Sequence, residues 1–188
     1  QYVGTFVDGQ FSGEGTLTFV GGQYTGGWRA GRQQGQGREV RDNGEQYEGQ
    51  FVAGAREGTG DLRLPRTNNI DAPMRYMGDF KSGVATGQGT LYWENGARYT
   101  GTVINMKPHG RGHWKHADGG EYEGDLVDGK YQGQGKLTLS SGRMIEGRWQ
   151  AGQPAEATLT FERRNHPGAA IQYFGTFVDG QFSGEGTL

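Results

Sequence analysis

The chain has 188 residues, a formal net charge of −2, 38 glycines and no cysteine. The absence of cysteine excludes disulfide bonds and thiol chemistry, and the small net charge gives no general attraction to nucleic acid, which is not an expected partner. Because aromatic residues make up 12% of the chain, the glycine content does not indicate a disordered linker. The glycines must therefore serve a regular fold.

A tyrosine followed two residues later by a glycine recurs along the chain. The first unit contains Tyr2, Gly4 and Phe6 at alternate positions. The units start at Tyr2, Tyr24, Tyr47, Tyr76, Tyr99, Tyr122, Ile145 and Tyr173. Subtracting successive positions gives spacings of 22, 23, 29, 23, 23, 23 and 28 residues, which indicates a period of 23 with two insertions.

Each unit predicts a β-hairpin. The tyrosine, glycine and bulky residue alternate with period two, as expected for one face of a first strand. Paired glycines such as Gly13 and Gly15 mark a second strand, and the intervening segment of the type VDGQFSG predicts the turn. Tight turns between units are predicted at DNGEQ (42–46), ENGAR (94–98) and SSGRM (140–144). The predicted class is all-β, an elongated single-sheet array of consecutive antiparallel β-hairpins.

The aromatic positions are candidate residues for stacking one repeat on the next. A single sheet has no second layer, so its rings must cover neighbouring strands, and glycine backbone lets a ring lie flat on the sheet. We therefore interpret these residues as structural. The set comprises Tyr2, Phe6, Tyr24, Trp28, Tyr47, Phe51, Tyr76, Phe80, Tyr99, Tyr122, Trp149, Tyr173 and Phe177.

The pattern YxGxF followed by GxGxL resembles the MORN (membrane occupation and recognition nexus) repeat over nearly the whole chain. The resemblance implies one continuous open ribbon of about eight hairpins spanning residues 1–188. Two departures stand out. Met106 occupies a turn position where glycine is expected, and Ala155 and Ala157 replace the paired glycines of the seventh unit. A local kink or a weak seam is expected at that unit.

Two insertions interrupt the period, near residues 65–75 and 162–172. Both fall between the second strand of one unit and the first strand of the next. They are expected to be loops on the same edge of the ribbon. An alternative is that they dock a neighbouring chain or set the curvature of the array.

The sequence offers little chemistry. The glycine pairs lack the third glycine of a dinucleotide fingerprint and the lysine of a P-loop, and no nucleophile motif is present. We therefore expect no enzyme activity, no cofactor and no metal site. The locally basic stretch of Lys107, His109, Arg111, His113 and Lys115 is a candidate patch for an anionic ligand or a pH response, or else a solvated polar edge. On a regular strand His109 and His113 would lie roughly 13 Å apart, too far to share one metal.

Two functions remain open. The first is a non-enzymatic scaffold that assembles end to end with itself into extended or filamentous structures. The second is a repeat region of a larger protein that docks protein partners or binds phosphoinositide or other acidic lipid, for which the local charge gives weak support. The sequence indicates no compartment.

The two ends of the chain favour self-assembly. Residues Gln172–Leu188 repeat Gln1–Leu17 with a single difference, which predicts a window of a longer tandem array or matching ends made by design. Open sheet edges invite strand addition, so the chain itself is the first expected partner. A proline at Thr5 or Thr176 is expected to remove an edge donor and block growth.

Overall fold

The computed structural model describes residues 1–163, 166–178 and 181–187. Arg164 and Asn165 of the second insertion, and Leu188 at the end of the last predicted hairpin, lie outside the described residues. The chain divides into two compact units, Gln1–Glu94 and Asn95–Leu188.

Each unit contains eight strands and, in its described part, no helix. In the first unit these are β1 (Tyr2–Val7), β2 (Gln10–Phe19), β3 (Gly22–Arg29), β4 (Arg32–Arg41), β5 (Gln46–Val52), β6 (Ala55–Arg63), β7 (Arg75–Lys81) and β8 (Val84–Tyr92). In the second they are β9 (Arg98–Ile104), β10 (Lys107–Lys115), β11 (Glu121–Val127), β12 (Lys130–Thr138), β13 (Met144–Gln150), β14 (Gln153–Arg163), β15 (His166–Val178) and β16 (Gln181–Thr187).

Within each unit the strands form an open antiparallel sheet in sequence order. The predicted all-β class of consecutive hairpins is confirmed. That both units form one continuous array stays a prediction.

A two-residue turn closes each of the first seven hairpins. In the first hairpin both turn residues, Asp8 and Gly9, have positive φ angles, of 49° and 74°, and Val7 pairs with Gln10. This is the geometry of a type I′ turn, whose twist matches that of the flanking strands. The same turn in hairpin β9–β10 places Met106 at a φ of 62°, so the non-glycine residue noted in the sequence adopts a left-handed conformation.

The first glycine of each pair forms a bulge in the second strand. In hairpin β1–β2, Gly4 pairs with Gly15 but Thr5 pairs with Ser12. Two residues of β2 therefore have no pairing partner in β1. Gly13, one of the two, has a φ of 65°. Glycine suits this position because it adopts a left-handed conformation without steric cost.

The two insertions differ in structure. Residues 64–74 form the expected loop between β6 and β7, where the Trp93 indole N–H donates to the Asp71 carbonyl at 3.0 Å. The second insertion is not the expected loop, because β14 and β15 continue through it and Phe161 pairs with Ile171. Aromatic and β-branched residues favour extended backbone, so the pairing runs past the usual end of a hairpin.

The seventh hairpin, β13–β14, remains packed despite its altered glycines. Its register shift is shorter than in the other hairpins, since Arg148 pairs with Glu156 and Trp149 with Pro154. Ala157 is buried in an apolar cluster with Leu159 and Phe177, against which Ile145 and Tyr173 pack.

Candidate stacking surface and charged groups

The repeat tyrosines lie flat on paired glycines. Tyr24 is fully buried, and a Cβ atom added at Gly37 would overlap its ring. Its hydroxyl donates to the Gly27 carbonyl at 3.1 Å. The equivalent bond, to the carbonyl three residues further on, is made by Tyr2, Tyr47, Tyr76, Tyr99 and Tyr122.

Burial fixes the protonation state of these phenols. It raises the pKa of Tyr24, Tyr47, Tyr76, Tyr99 and Tyr122 to about 12 in each case. At neutral pH each phenol therefore keeps its proton and serves as a hydrogen-bond donor.

In the first unit the rings form a ladder across successive hairpins. The Trp28 ring lies edge-on to Tyr24 at 5.1 Å and to Tyr2, in the preceding hairpin, at 5.5 Å. Phe51 likewise lies 5.2 Å from Tyr47 and 4.9 Å from Tyr24. The predicted residues Tyr2, Phe6, Tyr24, Trp28, Tyr47, Phe51, Tyr76 and Phe80 all take part in such contacts.

In the second unit the ladder is interrupted by aliphatic residues. Val103 and Leu126 occupy the position of Trp28 and are buried. Tyr122 contacts Trp149 of the next hairpin at 5.6 Å. Tyr173 contacts Phe177 at 6.2 Å, and Tyr99 contacts Trp114 at 5.9 Å, a residue absent from the predicted set.

Sequence reasoning missed a position that covers the tyrosine from above. The residue at this covering position comes nine residues after the repeat tyrosine in the sequence. It pairs, across the hairpin, with the residue that comes four after that tyrosine. Phe11 stacks on Tyr2 with ring centroids 3.9 Å apart, and Tyr131 stacks on Tyr122 at 3.6 Å. Among residues whose side chains the structure describes, the register gives as covering residues Phe11, Gln33, Arg56, Ala85, Pro108, Tyr131 and Pro154. The constant spacing of nine residues from the repeat tyrosine was the signal that could have identified this position in the sequence.

One covering residue is charged. The Arg56 guanidinium lies over the Tyr47 ring, 4.7 Å from its centroid. It also contacts the carboxylates of Glu39 at 2.6 Å and Glu45 at 2.7 Å. Burying Glu39 is tolerable because this carboxylate is hydrogen-bonded and paired with Arg56.

Backbone hydrogen bonds connect successive hairpins at their turns. The turn glycine of one hairpin donates to the carbonyl of the covering residue of the preceding hairpin. In the first unit Gly31 donates to Phe11 and Gly54 to Gln33, each at 3.0 Å. In the second unit Gly129 donates to Pro108 at 2.9 Å. Within each unit these bonds help to hold a hairpin in register on its predecessor.

The predicted basic patch faces carboxylates. Arg111 lies 3.7 Å from Glu123, while His113 and Lys115 lie 3.4 Å and 3.6 Å from Glu121. Three of its five basic residues therefore have an acidic neighbour. The patch, which also includes Lys107 and His109, carries less positive charge than its sequence indicates, and anion binding there stays a prediction.

The two histidines of this patch lie nearer each other than a regular strand predicts. His109 pairs with Thr102 and His113 with Thr100, because a bulge lies between them. Their partners are two residues apart, or about 6.6 Å along a strand. Even so, across the described ranges there is no group of three histidine, aspartate or glutamate side chains able to hold a metal ion.

The fold and its repeating ring contacts define a protein of open, hairpin-based β-repeats. The model of the MORN repeat matches residues 2–23, 24–46, 47–65, 76–98, 99–121, 122–142 and 173–188. The chain belongs to the MORN repeat family. Two stretches between the matches are unmatched, residues 66–75 and 143–172. The second contains hairpin β13–β14, in which isoleucine and alanine replace the tyrosine and glycine of the other repeats.

Curated relatives include Alsin from several mammals. Alsin of Mus musculus and of Homo sapiens are each 29% identical over 126 residues, which cover 67% of this chain. Alsin of Rattus norvegicus is 28% identical over the same length. The matched region spans only 6% of the length of each relative.

No helix in the described part of the chain has the length and apolar character to cross a bilayer.

Proposed function

We propose that this repeat module is a non-catalytic scaffold that associates head to tail with further copies of itself. The main support for this proposal is the exposure of the Phe6 side chain. This ring is 56% exposed, whereas its counterparts Trp28, Phe51 and Phe80 are 6%, 2% and 3% exposed. An apolar ring that is buried at the inner repeat contacts and open at β1 favours another repeat as its partner.

The last hairpin offers a matching surface. In the inner repeats the ring equivalent to Phe6 packs edge-on against the tyrosine of the preceding hairpin. Tyr173, the tyrosine of hairpin β15–β16, is only partly buried, while Tyr24 and Tyr122 are fully buried. We place Phe6 of one copy against Tyr173 of another. Such a contact is heterologous, so it can repeat without closing.

The backbone of β1 supports strand addition. Gln1 and Thr18 exchange two hydrogen bonds of 2.8 Å, so by alternation Tyr2 and Gly4 direct their backbone groups away from β2. Val7 pairs with Gln10 across the two-residue turn. By the same alternation, the backbone groups of Phe6 also point away from β2.

The backbone groups of Thr5 therefore point toward β2. The expectation that proline at Thr5 removes an edge donor is not supported, since the substitution would disturb pairing with Ser12 inside the hairpin. Phe6 provides the more direct test because its side chain and its backbone both face the proposed partner.

The experiment is sedimentation velocity of the parent chain and of Phe6→Lys over a wide concentration range. A charged edge residue opposes strand addition, so we expect association of the parent to weaken about tenfold or more in this variant. Val52→Lys is the matched control, since Val52 is 49% exposed and lies on β5.

Two results would overturn the proposal. A parent chain that stays monomeric at every concentration would exclude self-association. Equal weakening by Phe6→Lys and Val52→Lys would show that the effect is one of surface charge and not of the β1 edge.

A further inference from the structure

A histidine and a tyrosine meet on the ring face of the second unit. His116 follows β10, and its imidazole is stacked on the Trp114 ring with centroids 5.7 Å apart. The Nε2 atom of His116 is hydrogen-bonded to the hydroxyl of Tyr131. Tyr131 is the residue that covers Tyr122, so this bond connects the end of one hairpin with the covering ring of the next.

The direction of this hydrogen bond depends on the tautomer and charge of His116. Burial, the largest effect, raises the pKa of Tyr131 above its ordinary value, so the phenol retains its proton and is available to donate it. When the phenol donates, His116 Nε2 accepts, which requires a neutral imidazole with its proton on Nδ1. Burial also lowers the pKa of His116 below its ordinary value, which favours that neutral form.

Charged groups around His116 come from three elements. Asp118, in the turn that follows His116, raises the pKa of the imidazole and opposes the effect of burial. Lys130 of β12 lines the same pocket. Glu121 of β11 lies 3.6 Å from Lys115 of β10. Of these groups, Asp118 is the one with a resolved effect on the His116 pKa, and burial outweighs it.

We propose that the contact between His116 and Tyr131 is a pH-sensitive link on the ring face of the second unit. Protonation turns Nε2 from an acceptor into a donor, so it can no longer receive the Tyr131 proton. The imidazolium is also poorly solvated beside Trp114. Acidification therefore weakens this link at the pocket that Trp114, His116 and Tyr131 line with Gly129, Lys130 and Gly152.

The sign of the pH effect is fixed. The folded-state pKa of His116 is depressed, so the contact contributes its full stability above the unfolded pKa of about 6.5. That stability is lost as pH falls from this value through the folded pKa. The contact is therefore strongest at neutral pH and weakens under mildly acidic conditions.

The test is a proton NMR titration of the histidine and Tyr131 ring signals in the full chain. In the parent we expect His116 to titrate below 6.5 and the Tyr131 ring signals to shift with the same midpoint. Tyr131→Phe removes the bond that favours neutral imidazole, so the His116 midpoint should rise by about half a unit to one unit. In His116→Gln an amide oxygen can accept without titrating, so the Tyr131 signals should lose their pH response.

His113→Gln is the control. His113 is exposed and contacts Glu121, so its replacement should leave the pH response of Tyr131 intact. The proposal fails if His116→Gln retains the response of the parent or if Tyr131→Phe leaves the His116 midpoint unchanged. Both outcomes are independent of oligomeric state, so they also distinguish this proposal from that of self-association.

Discussion

At the scale of the residue, glycine supports this sheet because it has no side chain. Glycine normally weakens a strand. Here the Tyr24 ring occupies the space that a side chain at Gly37 would fill, and its hydroxyl bonds to backbone only three residues away. The weak β-propensity of glycine is offset by burial of a complete aromatic side chain, which is worth about 1.5–3 kcal/mol.

The turn residue Met106 is locally strained. Its φ of 62° lies in the left-handed region, where a side chain is unfavourable, while Gly129 holds the equivalent turn position of the next hairpin with a φ of 78°. We expect Met106→Gly to raise the free energy of unfolding by about 1 kcal/mol. Chemical denaturation followed by circular dichroism measures the change.

The reverse substitution gives the control for this prediction. Gly129→Met places a side chain at the same turn position and should lower the free energy of unfolding by a similar amount. If Met106→Gly is neutral or destabilising, Met106 must make a contact that outweighs its backbone strain.

The residues that could be predicted from the sequence recur in both residue type and spacing, whereas those that were missed recur in spacing alone or not at all. Tyr24 and Trp28 were predictable because ring and spacing recur together. The covering residues Phe11, Arg56 and Pro108 share only a position, since any side chain that shields a ring fits there. The ion pairs of Arg56 with Glu39 and Glu45 were equally hidden, because they join strands through a register that the sequence does not display.

At the scale of the element, hairpin β13–β14 shows that ring and glycine change together. Ile145 replaces the tyrosine, and Ala157 replaces the glycine opposite Gly147. The shorter side chain of isoleucine leaves room for the Ala157 methyl group, which is buried. Tyrosine on glycine and isoleucine on alanine are two solutions to the same packing problem.

This exchange can be transferred to another hairpin. Gly37→Ala alone forces its methyl group into the Tyr24 ring and should destabilise the protein by about 2–3 kcal/mol. Tyr24→Ile alone leaves a cavity and should cost a similar amount. In the double variant we expect a loss smaller than the sum by about 1 kcal/mol or more.

Denaturant unfolding of the four proteins of this cycle measures the coupling free energy. Thr25→Ala combined with Gly37→Ala is the control pair, since Thr25 hydrogen-bonds to Thr16 on the polar face. Additive losses in the Tyr24 cycle would mean that Gly37 does not depend on the ring.

Element boundaries were predicted less completely than the elements themselves. The hairpin pattern and the loop at 64–74 followed from spacing and composition. The continuation of β14 and β15 through the second insertion was missed, because its proline and glycine suggested a loop while Phe161 and Ile171 extend the pairing. The bulges were missed because positive φ at Gly13 is a property of register and not of composition.

At the scale of the whole molecule, stability in such an array is expected to be the sum of many neighbour contacts. In the first unit the rings of Trp28, Phe51 and Phe80 each contact the tyrosine of their own hairpin and that of the preceding one. Repeat proteins with this pattern of contacts lose structure locally, because a fault in one repeat weakens mainly its neighbours. The sequence predicted this organisation through its period.

Local unfolding can be tested at the first hairpin. A methyl group at Gly15 would overlap the Tyr2 ring, so Gly15→Ala should loosen β1 and β2 and uncover Trp28 on β3. We expect hydrogen exchange to accelerate about tenfold or more in β1–β3, corresponding to about 1.4 kcal/mol of local stability, with little change in β7 and β8. Thr18→Ala, an exposed change on the same strand, is the control and should leave exchange near that of the parent. Uniform acceleration across all eight strands of the first unit would instead show that its hairpins unfold together.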